Sequence, residues 1–205
     1  MVSWRDIWKV KLLKTNLWAA ALLYSEASFN FYLLTFYLKY FPGSIFKNSA
    51  YFACSDLVAF FLAGIFLNFT NMKTSIRVGA GIGSIGGMLY LFMSTKVDLM
   101  PIMICMARVG QCMIFNTCII SVNRLFPTQY VATAYGVVNF CSHLFACLSP
   151  FIAEIKNPYP FIAFEILIGV AIWMSFVLTE ISNSTELKNE EEKLSDTDQT
   201  TNDTK

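Results

Sequence analysis

The stretch "ICMARVGQCMIF", residues 104–115, places a guanidinium, Arg108, inside an otherwise uncharged apolar run. Four more charged or titratable side chains have similar surroundings: Glu26 in "YSEASFNFY", Asp56 in "ACSDLVAF", His143 in "FCSHLFACLSP" and Glu165 in "FIAFEILIG". A charge at the centre of a membrane helix costs about 2.5–3.5 kcal/mol on insertion scales. Side chains that bear this cost usually face a bundle interior or a watery cavity. Several of them on different segments suggest a shared polar compartment. Its chemistry would be recognition of an ion, with histidine suited to a proton-linked step because that side chain titrates near neutral pH. Tyr24, Asn30, Tyr32 and Tyr37 add a polar-aromatic set near Glu26. They suit an organic ligand, or equally aromatic packing and an interfacial belt. Bond-making chemistry has little to work with. There is one His, no metal-ligand spacing and no nucleophile–base motif, so no enzyme, metal or cofactor is implied.

The elements that must hold these residues are membrane spans. Of the 205 residues, 56% are hydrophobic and only 14% charged, against about 25% charged in a soluble domain. Mean hydropathy is +0.53. A membrane helix needs about 20 mostly apolar residues, and six segments qualify: 17–38, 49–68, 76–95, 100–122, 132–153 and 159–178. Between them lie "KYFPGSIFKN", "NFTNMKTSIR", "STKVDLMP", "NRLFPTQY" and "EIKNPYP", each charged and most bearing Pro or Gly. Such short connections make consecutive helices antiparallel neighbours. Arg108 would lie about 12 Å along its helix from Met100 at 1.5 Å per residue, too deep for easy snorkelling. Glu165, near the start of its segment, reads as interfacial. Pro150, late in the fifth segment, is placed to break that helix.

Residues 1–15, "MVSWRDIWKVKLLKT", are basic and amphipathic, and read as a helix lying on the membrane surface. Residues 182–205 are acidic and lack aromatics, and read as a disordered tail. With the N-terminus inside, the inner side receives Arg5, Lys9, Lys11, Lys14, Lys73, Arg77 and Arg124, and the outer side Lys39, Lys47, Lys96 and Lys156. Both termini are then cytoplasmic, in the plasma membrane or an internal one. Three N-x-[ST] patterns, at Asn68, Asn183 and Asn202, fall on that inner side, and glycosylation at Asn183 would invert the topology. Six single cysteines without paired spacing speak against zinc and a disulfide framework. A net charge of +1 gives no footprint for nucleic acid. Gly79, Gly83 and Gly87 recur every four residues and form one face on which another helix backbone can approach closely.

"RLFPTQYVATAYGVVNFCSHLFACLSPF", residues 124–151, resembles the fourth-to-fifth helix connection and fifth helix in the C-terminal half of organic cation/anion transporters of the major facilitator superfamily. Leu125, Phe126, Pro127, Thr128, Gly136 and Pro150 fit that pattern. Arg108, Phe115 and Asn116 resemble the family's basic residue followed by Phe-Asn. Gly43, Ile45, Asn48 and Asp56 resemble G-[NS]-I-[YF]-x-N followed by an acid. "LTE", residues 178–180, is similar to the Pro-Glu-Thr that closes the last helix. The similarity spans residues 17–180. The chain departs from the pattern at Arg124, where the family has Glu, and at Val131, where it has Arg. Of the family's G-x-x-x-D-R-x-G-R-K loop, Gly64, Asn68, Asn71 and Lys73 remain. At the position that is acidic in cation carriers and basic in anion carriers stands His143.

The resemblance implies an all-α membrane protein whose six transmembrane helices form one half of a major facilitator superfamily fold, in a bundle over residues 16–181. It implies alternating-access transport of a small organic ion. Glu26, Tyr32, Asp56, Arg108, Asn116 and His143 would line the substrate path. A complete carrier has two six-helix halves with the substrate between them, so the implied partner is an N-terminal half, on a longer product or a separate chain. The alternative is a degenerate, non-transporting membrane protein that acts by helix–helix association. Asp56 and Arg108 would then only lock helices together.

Overall fold

The computed structural model describes residues 11–41, 44–93 and 99–178. The proposed surface helix up to residue 10 and the proposed acidic tail lie outside them, as do Pro42 and Gly43. Among the described residues the regular structure is helical: α1 (Lys11–Tyr37), a 3-10 turn (Leu38–Tyr40), α2 (Ile45–Phe69), α3 (Met72–Met93), α4 (Met100–Leu125), α5 (Thr128–Ala146), α6 (Ser149–Ala153) and α7 (Tyr159–Val177).

Five stretches are long and apolar enough to cross a membrane: α2, α3, α4, α5 continued through α6, and α7. This is the make-up of a multi-pass membrane protein. Large apolar side chains of α2, α5–α6 and α7 point outward. Leu57, Val58, Phe60, Phe61 and Ile65 of α2 are exposed, as are Phe140, Leu144 and Phe151 along α5–α6 and Ile166, Trp173 and Phe176 of α7. In water such a surface would drive aggregation; in lipid it is the solvated face. The inner stripe of α2 is smaller and more polar, running Asn48, Phe52, Ser55, Ala59, Ala63, Leu67.

The first predicted span differs from the other five. Residues 17–38 are indeed helical, but they belong to a 27-residue helix that begins by Lys11, so residues 11–15 continue directly into it. This helix is not among the five apolar ones. Asn16, Ser25, Glu26, Ser28 and Asn30 dilute its hydropathy, and all of them are buried. It can carry them because protein surrounds it: α4, α5, α6 and α7 all pack on α1.

Helix α4 is its counterpart, the most buried of the five apolar stretches. It packs on α1, α2 and α3. The pairings have an internal symmetry. Helix α5 lies on α1 as α2 lies on α4; α7 lies on α1 as α3 lies on α4; α1 meets α4, and α3 meets α7. Exchanging α1 with α4, α2 with α5 and α3 with α7 maps the principal contacts onto themselves. Asn16, near the start of α1, donates to the Leu125 carbonyl at the end of α4, so the exchange pairs α1 with an α4 that runs in the opposite direction.

The α3–α4 interface is the closest. The face of Gly79, Gly83 and Gly87 does meet other helices, Gly79 and Gly83 on α4 and Gly87 on Phe164 and Glu165 of α7. The tightest backbone approaches involve Gly86 and Gly110, which lie outside that repeat.

Helix α5 ends at Ala146, four residues before Pro150, whose ring would clash with that carbonyl in a continuing helix. The Ser149 hydroxyl donates to the freed Ala146 oxygen at 2.8 Å. At the same end of the bundle, Lys39 forms an ion pair with Glu154, the Tyr40 hydroxyl donates to Glu154 Oε2 at 2.6 Å, and Asn157 Nδ2 donates to the Tyr90 hydroxyl at 2.6 Å. The hydrogen bond from Lys39, with that from Tyr40, holds the Glu154 carboxyl below its ordinary 4.5. The bond to Glu154 raises the Lys39 ammonium above its ordinary value. A lowered carboxyl contributes stability above its unfolded value and loses it as pH falls through the folded one. The raised ammonium contributes below its unfolded value and loses it as pH rises through the folded one. The tie therefore holds across neutral pH and fails in acid. Glu154→Gln should melt slightly below the unmodified protein at neutral pH and low salt. The gap should close below pH 4.5 and in high salt, because both side chains are exposed and screened. Melting curves over pH at two salt concentrations check this.

Candidate functional site

Arg108 is buried, at 3% exposure, and its guanidinium joins three helices. From α4 it reaches Asp56 on α2 through two bonds, Nε to Oδ1 at 2.7 Å and Nη2 to Oδ2 at 3.0 Å. This bidentate geometry is what a planar guanidinium supplies and an ammonium does not. Nη1 donates to the Phe31 carbonyl at 2.8 Å and to Thr35 Oγ1 at 2.7 Å, both on α1. The Thr35 hydroxyl donates to the same Phe31 carbonyl at 2.8 Å. The guanidinium carbon also lies 3.8 Å from the Phe31 ring centroid and 4.9 Å from that of Phe52. One turn along α4, the Cys112 thiol donates to Asp56 Oδ1 at 2.8 Å.

The two partners differ in exposure. The Arg108 side chain is 4% exposed and that of Asp56 27%. The carboxylate thus sits at the rim, with the guanidinium behind it. The accessible charge of the cluster is therefore the half-buried acid, backed by a buried counter-charge.

Glu26 occupies a second polar site, fully inside the bundle. Its Oε1 accepts from Asn30 Nδ2 at 2.8 Å and from Gln111 Nε2 at 3.4 Å. Asn30 Nδ2 also donates to the Phe164 carbonyl of α7, and Gln111 Nε2 to the Ala27 carbonyl. Glu26 is therefore a structural neighbour of α4 and α7. It does not share the Arg108 cluster, although Gln111 stands three residues from Arg108.

The other expected site residues lie around these two. Tyr32 is half-buried, its ring edge-on to Phe31 at 5.5 Å between centroids. Asn116 is buried in α4, two turns beyond Arg108. Phe115, its neighbour, stacks on Tyr24 and Phe31 at 5.3 Å each, so the aromatic set of α1 is packed in the core. His143 is exposed. Helix α5 packs inward through Ala134, Val138, Ser142 and Ala146, and His143 is one residue round the helix from Ser142, about 100° away. It makes no contact with the Arg108–Asp56 pair. Glu165 is half-buried and faces α3: its Oε2 accepts from Ser84 at 2.7 Å, and Gly87 leaves the room it fills.

The six cysteines are all free. Among the described residues no group of three His, Cys, Asp or Glu side chains is placed to hold a metal. Scanned against models of known protein families, the chain matches none of them. A search of curated proteins returns no significant match.

Proposed function

We propose that this chain is one half of an organic cation/anion transporter-like carrier of the major facilitator superfamily, moving a small organic ion by alternating access. The observation that carries the proposal is the Arg108–Asp56 pair, buried on the arginine side and half-buried on the acid side. The inverted pairing of two three-helix units supports it, because halves of such carriers are built from inverted three-helix repeats. The spaced sequence matches at Gly43, Asn48, Asp56, Arg108, Asn116, Pro127, Gly136 and Pro150 support it too. Gly136 and His143 are seven residues apart on α5 and share an open side: His143 is exposed, and a Cβ on Gly136 would meet nothing within 4 Å. In this reading that side turns toward a second six-helix half, with substrate between the two and both termini cytoplasmic. Asp56 and Arg108 set the electrostatics of the path, His143 meets the substrate's charge, and Tyr32 and Asn116 shape its walls.

Uptake into proteoliposomes tests this, with a quaternary ammonium and an aromatic carboxylate as probes. Arg108→Ala is expected to abolish uptake of whichever probe is carried, and His143→Ala to change the preference between them at least severalfold. Unchanged transport in both variants removes the site assignment.

One observation favours a second reading, a non-transporting partner-binding protein. Arg124, standing where the family has an acid, donates from Nη2 to the Leu67 carbonyl at the end of α2, at 3.2 Å. A switchable loop charge pair is replaced there by a fixed tie between α4 and α2. Crosslinking in mild detergent that traps a stoichiometric partner, with no uptake of either probe, favours this second reading.

A further inference from the structure

The hydrogen bonding around Glu26 does not balance for an ionised carboxylate. Glu26 is 2% exposed, and Asn30 and Gln111 are 0% exposed. The amide orientations follow from their partners. Asn30 Nδ2 points at two acceptors, Glu26 Oε1 and the Phe164 carbonyl, and Gln111 Nε2 points at two more, Glu26 Oε1 and the Ala27 carbonyl. Flipping either amide would set oxygen against oxygen. Three acceptor atoms are then left without a donor: Glu26 Oε2, Asn30 Oδ1 and Gln111 Oε1. The Ser28 hydroxyl, also buried and on the same helix, is unpartnered as well. No salt bridge reaches Glu26 among the described residues.

We infer that Glu26 is a proton-binding site enclosed by α1, α4 and α7, its carboxyl carrying a proton on Oε2. A proton there turns one of the orphaned acceptors into a donor, in a site where the two neighbouring amides each carry another orphaned acceptor. The same step removes a buried charge that has no counter-ion, whose burial would cost the most in such surroundings. A larger cation would need room as well as ligands; a proton needs none.

The charged and titratable groups on the packed elements leave this site to itself. From α4, Arg108 and Cys112 are committed to Asp56, Cys118 is a buried free thiol and Cys105 a half-buried one. From α7, Glu165 turns its Oε2 to Ser84, while its Oε1 is buried and unpartnered. On α5, Tyr135 neighbours Tyr24, Cys141 is half-buried and His143 is exposed. Helix α6 contributes none. Proton exchange with water therefore requires α1 to part from α4 or α7. The inference does not depend on the transport proposal.

Infrared difference spectroscopy of the purified protein at neutral pH tests it. A protonated-carboxyl C=O component is expected that is slow to shift in deuterated water, lost in Glu26→Gln and retained in Glu165→Gln. Glu26→Gln should melt close to the unmodified protein, because its amide N–H replaces the carboxyl O–H. Should that variant not fold, Gln111→Met serves: removing one acceptor must shift the band. A spectrum without the band, or a band indifferent to both Glu26→Gln and Gln111→Met, overturns the inference and makes Glu26 an ionised or hydrated carboxylate.

Discussion

Asp56→Ala is expected to destabilise the protein by about 3–5 kcal/mol, the cost of leaving a buried charge without its partner. The substitution strips Arg108 of two of its hydrogen bonds. What remains is the Phe31 carbonyl, the Thr35 hydroxyl and the two aromatic faces, none of which carries a negative charge. The reciprocal Arg108→Met should cost less, because the Asp56 carboxylate left behind is at the rim and can be hydrated. The double variant Asp56→Leu/Arg108→Met should recover most of the loss, since replacing a whole buried ion pair by apolar groups is often neutral or stabilising. Melting curves of the purified variants in lipid or detergent measure all three. The double variant also separates the two readings of the pair. A pair that only locks helices together leaves no further phenotype once the apolar replacement is stable. A pair that receives substrate leaves a stable protein that does not transport. A double variant as unstable as Asp56→Ala would show that packing around the guanidinium, not the charge, dominates.

The existence of this pair was legible in the sequence because intramembrane charge is scarce. One deep arginine and few acids at comparable depth leave little choice of partner. The rest of the cluster was not legible. Thr35 and the Phe31 carbonyl enter because α1 crosses α4 at that height, and a crossing point leaves no trace in composition. Glu26 and Asn30, four apart on one helix, carried a local signal that the structure uses, but Gln111 did not stand out among the residues after Arg108. The position of His143 was hidden for another reason. Helix α5 is apolar nearly all round, so its pattern does not say which side meets protein and which meets lipid or a partner. Helix α1 misled in the opposite way. Its length and its apolar residues read as a lipid-facing span, whereas its buried serines and asparagines lower its hydropathy and mark the centre of the bundle.

Gly110→Ala is expected to separate α3 from α4. A Cβ on Gly110 would stand 2.5 Å from the Gly79 carbonyl oxygen and 2.5 Å from the Gly83 Cα, and would overlap the Gly83 backbone nitrogen. These neighbours are backbone, so no rotamer change makes room. Overpacking of a core costs typically 1–3 kcal/mol, and here the upper end, about 3 kcal/mol or more, is expected because a whole helix must shift. The shift would also move Arg108, two residues earlier on α4, relative to Asp56, so any transport should fall with stability. Gly81→Ala is the control: nothing lies within 4 Å of its would-be Cβ, and alanine is the better helix former by up to about 1 kcal/mol. It should melt at or slightly above the unmodified protein. The sequence showed Gly79, Gly83 and Gly87 as a spaced repeat, but α4 reaches the first two through a glycine of its own, and a small residue on each side lets two backbones touch. Equal melting temperatures for Gly110→Ala and Gly81→Ala would show that α3 and α4 do not meet as closely as this.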